Sequence, residues 1–239
     1  MSVIVILPAA GLGTRMAPAS GRPGMSKQFA ELGGVPVVIH TLRKFAAHPE
    51  VSEIYVAVRA SEIRALKDRV AKENLTKPIH VVEGGEHRQD SVARAMEAVH
   101  ARESDLVLVH DAVRPFVDAE IIQKVIDAAQ RHGAAIAAVP AVDTIKQVER
   151  TAEGAIVRAT IPREQIVLVQ TPQGFRYSVL KQAMQEAQRD GFTGTDEAAL
   201  VERSGGTVAV VMGTAKNFKI TTPGDVQLAE FYLQQEMKS

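Results

Sequence analysis

The rhythm of this chain constrains its fold more than any other feature. Short β-branched runs alternate with amphipathic stretches along most of its 239 residues. Val3–Leu7, Glu53–Val58, Ile79–Val82, Leu106–Val109 and Ala134–Val139 read as strands, each too short and too continuously apolar for a surface helix. Pro36–Ala47, Ser61–Glu73, Asp90–Ala101 and Ala119–His132 read as helices between them. Within Asp90–Ala101, for example, Val92, Ala95, Met96 and Val99 fall at helical spacing. Gly133 stands where a left-handed residue would end the Ala119–His132 helix. Strand, helix and strand repeated this often predict an α/β fold, Rossmann-like, with a mostly parallel sheet flanked by helices. Ligands in such sheets bind beyond the carboxyl ends of the strands. The segments there are Pro8–Lys27, Glu83–Ser91, His110–Pro115 and Pro140–Lys146, and the expectation is that all four share one cleft.

The rhythm breaks between Val142 and Gln170. Thr144–Glu149, a Glu153-Gly154 turn and Ala155–Thr160 predict a β-hairpin with no helix beside it. A two-stranded ribbon is marginal on its own, so we read residues 142–165 as an arm that packs on a second subunit, against the alternative of a loose insertion. Ile166–Gln170 then predicts a strand, Ser178–Arg189 a helix, Asp196–Arg203 a short helix capped by Thr195, and Thr207–Met212 a strand. Thr222 and Pro223 suit the cap and first position of a last helix. With no internal repeat or linker, residues 1–239 read as one domain.

The Pro8–Lys27 segment narrows the chemistry. Between Met1 and Ala30 there are three cations, Arg15, Arg22 and Lys27, and no acid. A small-residue turn off a strand end, set among unopposed cations, suits a polyphosphate: backbone N–H groups approach closely and Arg and Lys neutralise the charge. The chain as a whole is electrically balanced, with 28 Lys+Arg against 28 Asp+Glu. No global field therefore draws it to nucleic acid or to a membrane, and its anion site must be local. The absence of Cys excludes disulfides and thiol catalysis and argues against structural zinc. Apolar runs such as Ala134–Val139 are too short to cross a bilayer. No charged leader precedes the first strand, so a cytoplasmic protein is expected.

Two familiar nucleotide motifs fail. The Gly11-Leu12-Gly13 turn lacks the third glycine of a dinucleotide fingerprint, since Met16 stands there, and Glu31 is not at the end of an apolar strand. The spacing from Gly11 to Lys27 is wrong for a P-loop. A second glycine turn, Gly84-Gly85, leads into a helix. Either Asp90 or Ser91 is its N-cap, or the Gly85 backbone and the Ser91 hydroxyl read the polar edge of a base. His110-Asp111-Ala112-Val113-Arg114-Pro115 follows a buried strand, where Asp111 could take a substrate hydroxyl or a divalent metal and Arg114 an anion. His40, His80 and His132 lack acidic or nucleophilic neighbours in sequence and read as surface or core residues. Lys146, Arg163 and Lys219 near other loop ends would complete a basic pocket. No Ser/His/Asp order or acid–base pair stands out. Transfer of a nucleotidyl group to a phosphate needs neither, because the attacking oxygen is already ionised and catalysis reduces to alignment and charge neutralisation.

Taken in order, Pro8-Ala9-Ala10-Gly11-x-Gly-x-Arg-Met, Lys27-Gln28, Gly84-Gly85…Asp90-Ser91-Val92, His110-Asp111-Ala112-x-Arg114-Pro115, Asp143-Thr144-x-Lys146, Thr171-Pro172-Gln173, Thr195-Asp196-Glu197 and Asn217-x-Lys219 resemble the 2-C-methyl-D-erythritol 4-phosphate cytidylyltransferases. The resemblance covers Val3 to about Leu233. It implies one nucleotidyltransferase domain with a mixed sheet, a homodimer built through the arm, and transfer of a cytidylyl group from CTP to the phosphorylated polyol with Mg²⁺. It further implies that Arg15 and Lys27 are catalytic, and that Ala9, Ala10, Gly11, Gly13, Gly85 and Ser91 bind CTP. Asp111, Arg114, Thr171 and Lys219 would surround the polyol phosphate, with Thr144 and Arg163 reaching in from the partner's arm. The metal ligands stay unassigned. The Met16–Lys27 loop is longer than the family pattern, and Ser26 replaces the proline that usually precedes the lysine. A ribitol 5-phosphate cytidylyltransferase is the nearest rival, and a non-catalytic nucleotide-binding regulator is the rival of a different class.

Overall fold

The computed structural model describes residues 1–11 and 27–236, the side chain of Lys27 excepted. In chain order the elements are β1 (Val3–Pro8), β2 (Glu31–Leu32), β3 (Val35–Pro36), α1 (Val37–Ala46), β4 (Val51–Val58), α2 (Ile63–Val70), β5 (Ile79–Glu83) and α3 (Arg88–Ala98). There follow β6 (Leu106–Val109), α4 (Ala119–His132), β7 (Ala134–Pro140), β8 (Ile145–Thr151), β9 (Gly154–Ile161) and β10 (Val167–Arg176). The chain closes with α5 (Tyr177–Arg189), α6 (Glu197–Arg203), β11 (Ala209–Met212) and α7 (Pro223–Glu236). The main sheet has the order β11-β7-β10-β6-β1-β4-β5. All its pairings are parallel except those of β10, which runs antiparallel to both β6 and β7.

Alternation along β1 explains the layers. Val3, Val5 and Leu7 join a core with α1, α2 and α4, whereas Ile4 and Ile6 join one with α3, α5 and α6. Side chains two apart share a face, so a strand that is apolar at every position must be covered on both sides. β6 meets the same demand: all four of its residues are fully buried. A third, smaller cluster packs α7 on Leu32, Val113, Phe116 and Ile220. No helix among the described residues is long and apolar enough to cross a membrane.

Several boundaries differ from the sequence expectation for identifiable reasons. β10 continues through Thr171-Pro172-Gln173 to Arg176 rather than stopping at Gln170. Proline cannot donate to a ladder, and the β10–β7 register shifts between Val169 and Gln173, across Pro172. The cap of α6 is Asp196, whose side chain accepts from the Ala199 amide, and not Thr195. α3 starts after His87, so neither Asp90 nor Ser91 is its cap; Asp90 lies one turn in and accepts from the His87 amide at 3.1 Å. At α4 both ends agree, with Gly133 left-handed at φ 85°. The Leu32–Val35 pairing has no counterpart in the sequence reading: Gly33 and Gly34 turn at φ 58° and 76°, the positive-φ pair of a tight hairpin.

Candidate active site

The chain runs from β1 outward through β4 and β5, then returns to place β6 on the other side of β1. That reversal opens a crevice at the carboxyl ends of β1 and β6, where an open α/β sheet binds ligands. The ladder continues beyond the strands: Ala9 donates to Ala57 O at 2.7 Å, Gly84 to Val58 O at 2.7 Å and His110 to Ile6 O at 2.9 Å. The loops after β1 and β6 therefore leave the sheet side by side, and the loop after β5 leans across the end of β4 to pack on Ala10. The fourth, 140–146, departs from β7, two strands away from β6, and runs into the arm.

One half of the crevice is made of small residues. Ala9 and Ala10 are buried, and Gly11 is exposed at the strand's end. A side chain on Gly84 would begin 2.6 Å from Ala10 Cβ and 3.4 Å from the Ala57 backbone, so only glycine lets the two loops approach this closely. Gly85 N donates to Ser91 Oγ at 3.1 Å, and that hydroxyl points its proton at His87 O, also at 3.1 Å. Ser91 thus braces the turn and keeps a lone pair, not a proton, for a ligand. The Gln28 side-chain amide donates to Ala9 O, which ties Gln28 to the end of β1. Gly13 and Arg15 lie outside the described residues. Lys27 begins a short 3₁₀ turn, Lys27–Phe29, beside that contact, and its side chain is outside the description.

The other half is a charge cluster around Asp111. Its Oδ1 accepts from Arg88 Nε at 3.1 Å, while Oδ2 lies 3.2 Å from Arg114 Nε and 3.0 Å from Lys219 Nζ. Arg88 Nη1 in turn reaches both oxygens of Glu197, at 2.8 and 2.7 Å. Burial alone would push the Asp111 carboxyl up, but Arg88, Lys219 and Arg114 outweigh it and hold the group far below the usual carboxylate range. Arg88 is likewise pulled down by burial and held protonated by its two carboxylates. Burial pushes the Glu197 carboxyl up against the opposing pull of Arg88. Three cations against two carboxylates leave one positive charge in excess, in a sheltered site where charge is weakly screened.

The backbone under Asp111 is fixed by a relay of hydrogen bonds. His110 Nε2 lies 3.1 Å from Arg114 O. A carbonyl can only accept, so Nε2 carries the proton and Nδ1 is free to accept. Thr171 Oγ1 donates to that Nδ1 at 3.0 Å and accepts from the Asp111 amide at 3.0 Å. Burial pushes His110 down to about 3, so it stays neutral and the relay intact. Thr41 Oγ1 holds Ala112 O at 2.9 Å, and Arg114 Nη1 donates to Asn217 O at 2.8 Å. Asn217 is itself buried, with Nδ2 donating to Thr171 O at 2.8 Å.

The described part of the site thus unites Ala9, Ala10, Gly11, Gly85, Ser91, Asp111, Arg114, Thr171 and Lys219. Thr144 and Arg163 are not brought to it within one chain. Thr144 is exposed at the root of the arm, and Arg163 is exposed too, with Nη1 donating to Val142 O at 2.8 Å. The sequence reading gives Arg88 and Glu197 no role. They are 109 residues apart, and a pair so distant leaves no local spacing to detect. His80, read as a bystander, lies 2.9 Å from Glu53 across β4 and β5. Among the described residues no three His, Cys, Asp or Glu side chains gather to hold a metal. Asp111, a candidate ligand on sequence grounds, already has both oxygens on cations, which suits an arriving anion or hydroxyl and does not suit a divalent ion.

The chain matches the family described as "IspD: 2-C-methyl-D-erythritol 4-phosphate cytidylyltransferase" over residues 3–235. It belongs to that family. A relative of that description from Acidobacterium capsulatum is 59% identical over 235 residues, covering 98% of each chain. One from Solibacter usitatus is 50% identical, with 99% of this chain and 97% of the relative covered. A crystal structure of the Thermus thermophilus cytidylyltransferase is 37% identical, with a TM-score of 0.76 and coverage of 98% and 100%. The 4-diphosphocytidyl-2C-methyl-D-erythritol synthase of Anaerococcus prevotii is 30% identical, with a TM-score of 0.82 over 98% of both chains. Membership makes the chain a cytidylyltransferase and an enzyme. It favours methylerythritol phosphate over ribitol 5-phosphate, and catalysis over a nucleotide-sensing role.

Proposed function

We propose that the chain carries out its family's reaction, from CTP and 2-C-methyl-D-erythritol 4-phosphate to 4-diphosphocytidyl-2-C-methyl-D-erythritol and diphosphate, with its two half-sites divided between the two substrates. The observation that carries the division is the buried, cation-ringed Asp111 beside the small-residue end of β1. Ala9, Ala10, Gly11, Gly13, Gly85 and Ser91 take CTP, their small side chains letting the nucleotide approach the backbone closely. Asp111 and Thr171 take polyol hydroxyls, while Arg114 and Lys219 take its phosphate. An oxygen of that phosphate attacks the α-phosphorus of CTP, and the bond to the bridging oxygen of the diphosphate breaks. The nucleophile is an oxyanion already, so no base is required. Arg15 and Lys27 neutralise the charge that builds on the α- and β-phosphates.

The described donors do not form a Mg²⁺ site. Met1–Ala30 contains no acid, so the 12–26 segment adds no carboxylate. A Mg²⁺ ion in this reaction would be held chiefly by the nucleotide's phosphate oxygens and water. Residues 1–239 form one nucleotidyltransferase domain, and 142–165 is its dimerisation arm. The apolar side chains that the arm and the nearby edge leave exposed, Val148, Ile156, Val157, Leu168, Val210 and Met212, support a homodimer in which Thr144 and Arg163 serve the partner's site. A Cys-free chain with no membrane-length helix among its described residues is read as working in the cytoplasm.

Substituting Lys27→Ala tests the electrostatic half of the proposal. Loss of a group that stabilises transition-state charge lowers turnover by about a hundredfold or more, with CTP binding less affected. Near-normal turnover returns Lys27 to the surface.

A further inference from the structure

Arg88 sits where the two half-sites meet. It is the first residue of α3, directly after the glycine turn that packs on Ala10, yet its guanidinium reaches Asp111 on the opposite loop. The three cations around Asp111 are not equivalent. Arg114 is bound a second time to Asn217 O and is mostly buried. Lys219 pairs with Asp111 Oδ2 and is 32% exposed. Arg88 takes Oδ1, and is anchored from behind by a second carboxylate, Glu197, only 1% exposed.

That anchor is itself fixed by contacts that do not involve Arg88. The neighbouring Gln89 binds the turn before α6 twice, through Nε2 to Phe192 O at 3.1 Å and through Oε1 from Gly194 N at 2.9 Å. Gln173 on β10 reaches Asp196 Oδ2 at 2.7 Å and accepts from the Ala198 amide at 3.2 Å. Glu197 is thus delivered to Arg88 on a segment held at several points, and a planar guanidinium bridging two fixed carboxylates has little freedom left.

We propose that Arg88, anchored by Glu197, is a positioning residue that holds Asp111 Oδ1 so that Oδ2 meets a polyol hydroxyl and the Lys219 ammonium faces the polyol phosphate. Without Arg88 the Asp111 carboxylate can rotate to give both oxygens to Arg114 and Lys219, and Lys219 is then withheld from the incoming phosphate. With Arg88 in place, Lys219 is shared on one oxygen only and exchanges it readily for a phosphate oxygen. Because the same residue begins the helix behind the nucleotide turn, it also sets the polyol site against the CTP site. This assignment rests on the reading that Asp111 receives the polyol.

The test is a double-mutant cycle on the full-length enzyme, with KM for each substrate as the readout. Arg88→Gln is expected to raise KM for methylerythritol phosphate by about tenfold or more while changing KM for CTP less than about twofold. In an Asp111→Asn background the same change should then add less than about threefold, because a residue acting through Asp111 has nothing left to orient. Should Arg88→Gln fold poorly by stranding Glu197, the Arg88→Gln/Glu197→Gln pair removes both buried charges together and carries the same prediction. Arg88→Lys should recover part of the loss. Additive effects in the cycle, or KM rising equally for both substrates, overturn the positioning role. If Asp111→Asn leaves KM for the polyol unchanged, the placement of the polyol at Asp111 fails, and this inference with it.

Discussion

At the scale of single residues the site depends on groups whose protonation is fixed by their neighbours. Asp111 is buried and still ionised because three cations stand within 3.2 Å of it. His110 is buried and neutral because desolvation outweighs the opposing pull of the Arg114 carbonyl and of Asp111. The second case makes a prediction about stability. In the unfolded chain His110 takes up a proton below its ordinary value of 6.5, while in the folded protein it stays neutral down to about 3. The unfolded state therefore binds more protons between those values. The His110 contribution to stability is whole above about 6.5 and is lost as the pH falls. Urea unfolding at pH 6.5 and 5.5 should show the wild-type protein losing about 1 kcal/mol more than His110→Gln across that unit. Equal losses in the two proteins would contradict a buried, neutral His110. These residues also mark the limit of what sequence reveals. Asp111, Arg114, Thr171 and Lys219 carry recognisable neighbours, whereas Arg88 and Glu197 become a pair only when the first turns of α3 and α6 meet in space.

At the scale of elements, the loops work because strands of the central sheet deliver them in parallel and glycine lets them touch. The β5–α3 turn illustrates this. Its closest neighbour is the β carbon of Ala10, which has no rotamer to yield. Gly84→Ala must therefore push the turn away from β1, a displacement of the kind that costs about 1–3 kcal/mol in a packed site. Calorimetric titration with CTP in the absence of the polyol should show affinity lowered about tenfold, the equivalent of about 1.4 kcal/mol, and unchanged affinity would place the nucleotide elsewhere. Most elements are legible in the sequence, since burial on both faces of the sheet dictates apolar runs and the surrounding helices dictate a 3.6-residue period. The differences involve local chemistry with little periodic signal. Pro172 conceals the second half of β10, His87 is an unusual residue before a helix, and Glu31–Pro36 is too short for any period to show.

The arm belongs to this scale too. β8 and β9 pair from Ile145↔Ile161 to Thr151↔Gly154, so its two ends already lie side by side and a short Gly-Ser link can replace the ribbon between them. The truncated protein should sediment as a monomer and lose activity, because Thr144 and Arg163, though retained, would no longer be held in a partner's site. A truncated protein that remains a dimer would refute the arm's role in assembly.

At the scale of the whole molecule, an electrically balanced chain carries local excesses of positive charge. The Met1–Ala30 stretch has cations and no acid, and the Asp111 cluster beside it keeps one cation in excess. The topological reversal between β1 and β6 brings the carboxyl end of β1 and the Asp111 loop to the same end of the sheet. Two polyanions can then be held in line there without a general base, which accounts for a candidate site whose described residues include no nucleophilic serine, no cysteine and only a neutral, occupied histidine. The central claim is the transfer itself. Incubating the protein with CTP, Mg²⁺ and one phosphorylated polyol at a time, and following diphosphate release, tests it most directly. Release is predicted with 2-C-methyl-D-erythritol 4-phosphate and not with ribitol 5-phosphate. Release with ribitol 5-phosphate alone, or with neither, would contradict it.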